Sequence, residues 1–142
     1  RRSRLWVHIY LHMRCQGFDL VPILIGRKGC NMRRIAESTG AKIRVRGRGS
    51  GHIEAETQRE APSPLHVAVT TNAWEHASFK KALELTVEHL RALEERFRSR
   101  CASDGTNRQA TAAGFSFGLA SEGAWEILSD PIFQGVTRPH RK

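Results

Sequence analysis

The sequence predicts an α+β domain in which a three-stranded antiparallel sheet is covered on one face by three helices, and three observations carry that prediction. Residues 5–12, 41–47 and 65–70 alternate apolar and polar side chains, the period of half-buried strands. Two short segments and one long one place apolar residues at helical steps. Their order is strand, helix, helix, strand, strand, helix, which a two-layer arrangement around one core satisfies.

In the first strand Leu5, Val7, Ile9 and Leu11 face the core, and Trp6, His8, Tyr10 and His12 face water. Met13 to Phe18 connects, with Gly17 as the turn residue. Asp19 is placed to cap a short helix through Ile25, with Pro22 tolerated in its first turn. Gly26-Arg27-Lys28-Gly29 interrupts the run before a second helix over residues 30–39, which buries Met32, Ile35 and Ala36 and stops at Gly40, a left-handed C-cap. In the second strand Ile43 and Val45 oppose Lys42, Arg44 and Arg46. Residues 47–64 are rich in Gly, Glu, Ser and Pro and form a long loop before the third strand, where Leu65, Val67 and Val69 alternate with His66, Ala68 and Thr70. Asn72-Ala73-Trp74-Glu75 has capping-box spacing, and behind it Phe79, Leu83, Val87, Leu90, Leu93 and Phe97 form the stripe of a long amphipathic helix. From Ser99 the composition shifts to Ser, Gly, Ala and Thr with isolated aromatics, so residues 99–142 are expected to be a disordered or weakly docked tail, with a short helix around Ser121–Leu128 before Pro131.

A 39% hydrophobic fraction over 142 residues allows one core, and no apolar run approaches the roughly 20 residues of a bilayer-spanning helix. The chain opens Arg1-Arg2-Ser3-Arg4-Leu5 with neither Met nor a long apolar stretch, which excludes a signal peptide there and is expected of a piece of a longer protein. Cys15, Cys30 and Cys101 are odd in number and widely spaced, arguing for a reducing compartment, nuclear or cytoplasmic, over a disulfide framework. The formal charge of +9 is unevenly spread: residues 1–50 hold twelve Lys and Arg against Asp19 and Glu37, whereas residues 51–98 are net −2 and 99–142 net +1. A basic lobe in an otherwise balanced chain points to a polyanion, with nucleic acid ahead of an acidic membrane surface. His8 and His12 lack Cys or carboxylate partners at ligand spacing, and neither paired carboxylates nor a nucleotide-binding loop is present, so no metal, cofactor, small-molecule substrate or catalysis is expected.

The informative stretch runs from Leu20 to Ser50. Glycines at both ends of Gly26-Arg27-Lys28-Gly29 let a sugar-phosphate backbone come close, and the next helix offers its N-terminus. Taken alone, such a turn is equally an ordinary link between helices. Followed by Thr39-Gly40 and by Ile43-Arg44-Val45-Arg46-Gly47-Arg48-Gly49-Ser50, then by Pro64-Leu65-His66-Val67 and a closing long helix, it resembles a type I KH domain (βααββα), closest to the branch-point-binding and quaking-like (STAR) class. The resemblance covers roughly residues 5–98. It implies a narrow groove holding about four nucleotides of single-stranded nucleic acid, RNA before DNA. Gly26, Arg27, Lys28 and Gly29 would clamp phosphates, with Asn31, Arg33 and Arg34 on the following helix beside them. Val21, Ile25, Ile43 and Val45 would floor the groove, and Arg46 would hydrogen-bond at the strand exit, with Lys42 and Arg44 near it. Pro22 stands where the family usually has Gly, and Arg27 where the STAR class commonly has Pro. Glu54, Glu56 and Glu60 in the loop are expected to repel a backbone. Other RNA-binding domains or a homodimer partner fit such a weak module. A protein–protein scaffold and a single-stranded DNA binder remain as rival readings.

Overall fold

The computed structural model describes residues 3–103 and 113–136. Strand β1 (Arg4–Leu11) is followed by helix α1 (Leu20–Ile25), a single 3-10 turn (Arg27–Gly29), helix α2 (Cys30–Thr39), strand β2 (Lys42–Arg46), strand β3 (His66–Asn72) and helix α3 (His76–Ser103). This is the expected βααββα order. Two further elements follow, strand β4 (Phe115–Ala120) and helix α4 (Glu122–Leu128), before a 3-10 turn at Pro131–Phe133.

The alternation in β1 is realised residue by residue: Leu5, Val7, Ile9 and Leu11 are buried, while Trp6, His8 and Tyr10 are half-covered and His12 is exposed. Opposite them Val67 and Val69 of β3 point into the same core. The α3 stripe of Phe79, Leu83, Val87, Leu90, Leu93 and Phe97 is buried along its whole length, and Cys101 extends it one turn further. Burial of such side chains contributes roughly 1.5–3 kcal/mol each, the main term holding helices to sheet. Gly40 takes φ 80° and its N–H bonds the Ala36 carbonyl, ending α2 as a left-handed cap.

Three local expectations are corrected. Asp19 occupies the N-cap position of α1, but its side chain makes no capping bond. Asn72 remains the last residue of β3; the Glu75 carboxylate accepts its N–H at 3.1 Å, and α3 begins at His76. The largest correction is the tail. The sheet has four strands, ordered β2-β3-β1-β4, all neighbours antiparallel. β4 pairs with β1, placing Phe117 opposite Ile9 and Phe115 opposite Leu11, so the two Phe rings join the core. Ala124, Leu128, Phe133 and Val136 are buried with them, and Phe117 meets Phe133 edge to face at 6.0 Å. Polar anchors reinforce the packing: Lys80 to Asp130 at 2.7 Å, the Gly114 N–H to Glu94 at 2.7 Å, and Ser121 bonding both the N–H and the carbonyl of Trp6. Residues 113–136 are therefore part of the fold, rather than a disordered or weakly docked tail. The rest of the expected tail, residues 104–112 and 137–142, lies outside the described residues.

Candidate nucleic-acid interface

The link between α1 and α2 is built from backbone geometry that ordinary residues avoid. Gly26 sits at φ 85°, ψ 168°, and a Cβ there would come within 2.7 Å of the Asn31 amide and 3.0 Å of the Cys30 sulfur. Only glycine fits this position. Lys28 (φ 56°) and Gly29 (φ 75°) are consecutive left-handed residues, which turn the chain outward and open α2 with no side chain capping its start. The Gly29 N–H returns to the Gly26 carbonyl at 3.0 Å, and Arg33 Nη1 donates to the Lys28 carbonyl at 2.9 Å. Asn31 Nδ2 donates to the carbonyls of Ile23 and Leu24, both at 3.3 Å, tying the end of α1 to the start of α2. Its amide donors thus hold the turn's shape, a role the sequence did not reveal.

The consequence is an exposed pair of cations on a fixed frame. Arg27 and Lys28 are exposed and belong to no ion pair among the described residues. Arg33 and Arg34 are exposed on the first turns of α2; Arg34 borders a cleft between α2 and α3, beside Lys81 and His89. Val21 and Ile25 are partly buried against the core, as is Ile43, and Val45 is buried. A cavity of about 580 Å³ lies between the start of α1 and the exit from β2, with Val21, Pro22, Phe18, Gly49 and Leu65 in its walls. Neither the Gly26–Gly29 turn nor Ile43 and Val45 is among its lining residues.

The exit from β2 is organised around its own acids. Arg46 Nη1 donates to both oxygens of Glu54, at 2.9 and 3.1 Å. Glu60 accepts the N–H groups of Gly49 (3.0 Å) and Gly51 (2.7 Å), and these bonds, Gly49's first, hold its carboxyl below the usual range. Arg48 donates to the Pro62 carbonyl. Gly47, at φ 98°, packs so closely on the Pro64 backbone that a Cβ would lie 2.4 Å from its carbonyl oxygen. Two of the loop acids expected to repel a polyanion are thus engaged within the loop itself. Ile43 and Val45 lie on the core side of β2, whereas Lys42, Arg44 and Arg46 lie on the sheet face that the helices leave uncovered. The strand's alternation separates the expected apolar floor from its expected cations.

Comparison with known families identifies the domain that carries this turn. The family model described as KHDC4/BBP-like, KH-domain type I matches residues 15–91, more than half of the chain, from the β1–α1 link into α3. The chain belongs to the type I KH family. Its KH region is also similar to a stretch of uncharacterized protein C30D11.14c of Schizosaccharomyces pombe, 29% identical over 73 residues, which are 51% of this chain and 14% of that protein. The chain therefore spans a small fraction of the relative it matches. KH domains are a nucleic-acid-binding, non-enzymatic fold, and membership of that family points to nucleic-acid binding here. No helix among the described residues is long and apolar enough to cross a membrane, and no group of three or more His, Cys, Asp or Glu among them is arranged to hold a metal ion.

Proposed function

We propose that this KH domain binds a short single-stranded RNA element in the groove between the α1–α2 turn and β2, as one module of RNA processing or post-transcriptional regulation in the nucleus or cytoplasm. The observation that carries the reading is the turn: left-handed Lys28 and Gly29 after a sterically obligatory Gly26, presenting Arg27 and Lys28 with no acid among the described residues paired to them. Phosphates approach the turn backbone and these two cations, with Arg33 and Arg34 adding field from α2. Bases lie over Val21, Ile25 and Ile43, with Val45 supporting the floor from beneath. Asn31 acts as a positioning residue for the turn. Contact with about three phosphates gives a log–log salt slope of about −2, and an affinity modest enough that neighbouring RNA-binding modules supply the rest.

The test is fluorescence anisotropy with a randomised pool of five-nucleotide single-stranded RNA. An Arg27→Asp/Lys28→Asp variant that keeps its circular dichroism loses at least tenfold in affinity. Equal binding by both proteins refutes the groove and leaves a diffuse basic patch. Binding by neither favours a protein–protein scaffold, seen as concentration-dependent association in light scattering. Matched deoxyribose oligomers that bind as well as ribose move the reading to single-stranded DNA, because the 2′-OH is the group that differs.

A further inference from the structure

The uncovered face of the sheet carries a second arrangement of cations and rings. Across β1 and β3 the rings form a ribbon: Trp6 to His8 at 5.0 Å, His8 stacked on His66 at 4.2 Å, and Tyr10 edge-on to His66 at 6.0 Å. His66 is buried beneath, with its Nδ1 donating to the Pro64 carbonyl at 2.8 Å. Burial, and secondarily His66, push the His8 pKa down to about 4, so at neutral pH its ring is an uncharged stacking surface. Alongside, a cavity of about 460 Å³ is bordered by Arg4, Lys42, Arg44 and Arg46. Arg4, Lys42 and Arg44 are exposed at this cavity, and its one acid, Glu54, is held by Arg46.

Cations and aromatic rings are the two elements that hold single-stranded nucleic acid without regard to sequence: charge for the backbone and a π surface for the bases. Geometry connects this face to the groove. β2 is an edge strand, and its alternate residues lie on its two sides, Ile43 and Val45 toward the groove and Lys42 and Arg44 toward the ring ribbon. A strand of RNA leaving the groove has only the thickness of one sheet edge to cross.

We infer that the helix-free face is a second single-stranded RNA contact, in which Arg4, Lys42 and Arg44 take phosphates and Trp6 and His8 stack bases of the segment that has rounded the β2 edge. The inference rests on the groove reading above. It makes the domain's footprint longer than the few nucleotides that a groove holds, with the added nucleotides bound by charge and stacking.

The experiment compares randomised 5-mer and 15-mer single-stranded RNA by anisotropy. Lys42→Ala/Arg44→Ala, both at exposed positions, is expected to lower 15-mer affinity at least fivefold, to leave 5-mer affinity within twofold, and to make the 15-mer log–log salt slope shallower by about 1.4. Equal losses at both lengths overturn the inference, since the two cations would then serve the groove; so does an unchanged 15-mer affinity. A second readout is the imidazole resonances of His8, which shift on adding the 15-mer and not the 5-mer; a 15-mer that leaves them in place overturns the inference whatever its affinity. Failure of the groove reading has its own signature: Arg27→Asp/Lys28→Asp binds the 5-mer as well as the native chain does. Absence of any binding at either length overturns both.

Discussion

The two walls proposed for the groove, the α1–α2 turn and the exit from β2, carry similar numbers of cations and present them in opposite ways. On the α1–α2 side, Arg27 and Lys28 stand exposed on a turn whose shape is held by backbone bonds, the Asn31 amide and Arg33, so neither of these two cations is consumed in keeping it. On the β2 side, Arg46 and Arg48 help shape the loop they lead into, the first through Glu54 and the second through the Pro62 carbonyl. Equal formal charge is therefore unequal available charge. A cation already bonded within the fold has fewer free donors and, beside a carboxylate, a partly neutralised charge, so it gains less from a phosphate.

The sharpest way to break this comparison is to reverse the charges of the first wall. Arg27→Asp/Lys28→Asp, the variant proposed above, has the largest expected effect, at least tenfold in RNA affinity with thermal stability nearly unchanged. A comparable loss from Arg48→Ala, whose side chain is bonded within the loop, would erase the distinction between the walls.

Next come the glycines, which test how each wall is held. Gly47→Ala forces a Cβ onto the Pro64 backbone at a left-handed φ, and should lower stability by roughly 2–3 kcal/mol in chemical denaturation. Gly29→Ala places its Cβ 4.0 Å from the nearest atom, so only the left-handed strain of about 1 kcal/mol remains. Similar losses from both would mean that steric closeness is not what distinguishes the loop.

A smaller effect of opposite sign belongs to Glu54. Glu54→Gln removes the carboxylate from Arg46, and RNA affinity should rise a few-fold while stability falls by no more than about 1 kcal/mol, the worth of a partly exposed pair. Unchanged affinity, measured by the same anisotropy titration, would show that Arg46 contributes nothing even when released.

The mildest test is acid. The folded pKa of Glu60 is depressed by the Gly49 and Gly51 N–H groups, so its contribution is complete above the ordinary carboxylate pKa and is lost as pH falls through the depressed value. Protection of the Gly49 and Gly51 amides, taken relative to the intrinsic exchange rate at each pH, should fall over that acidic window in the native chain. In Glu60→Gln this loss of protection with acid should be missing.

How far the sequence could be read follows from how local each feature is. The α3 stripe is periodic over nearly twenty residues, and every expected position is buried. The turn between the short helices was legible because glycine at both ends has a steric meaning, and Gly26 bears it out with a neighbour 2.6 Å from its absent Cβ. The Arg46–Glu54 pair was not legible: eight residues of irregular chain separate the partners, and nothing periodic says which of three loop acids will turn inward. Asn31 read as a candidate contact, although its amide donors hold the end of α1, because an amide near a basic turn looks the same in either role. β4 escaped for another reason. Only Phe115 and Phe117 alternate before Gly118, and that glycine is explained by the Tyr10 ring, which would lie 2.1 Å from a Cβ there. A strand whose partner is more than a hundred residues away carries no local signature of its pairing.

That same pairing governs the order in which the molecule can be made. Trp6 of β1 is bonded to Ser121, just beyond β4, across 115 positions of sequence. At ribosomal speeds of about 5–20 residues per second, β1 waits on the order of ten seconds for β4 to be synthesised. Through that interval the other three strands can pair, while one edge of β1 stays without its neighbour, the kind of edge that recruits stray strands. Closing so long a loop also raises the mean separation of contacts and slows the last step of folding. The nascent chain therefore completes its βααββα elements before β4 covers the open edge of β1, and the stage most exposed to aggregation falls between the two.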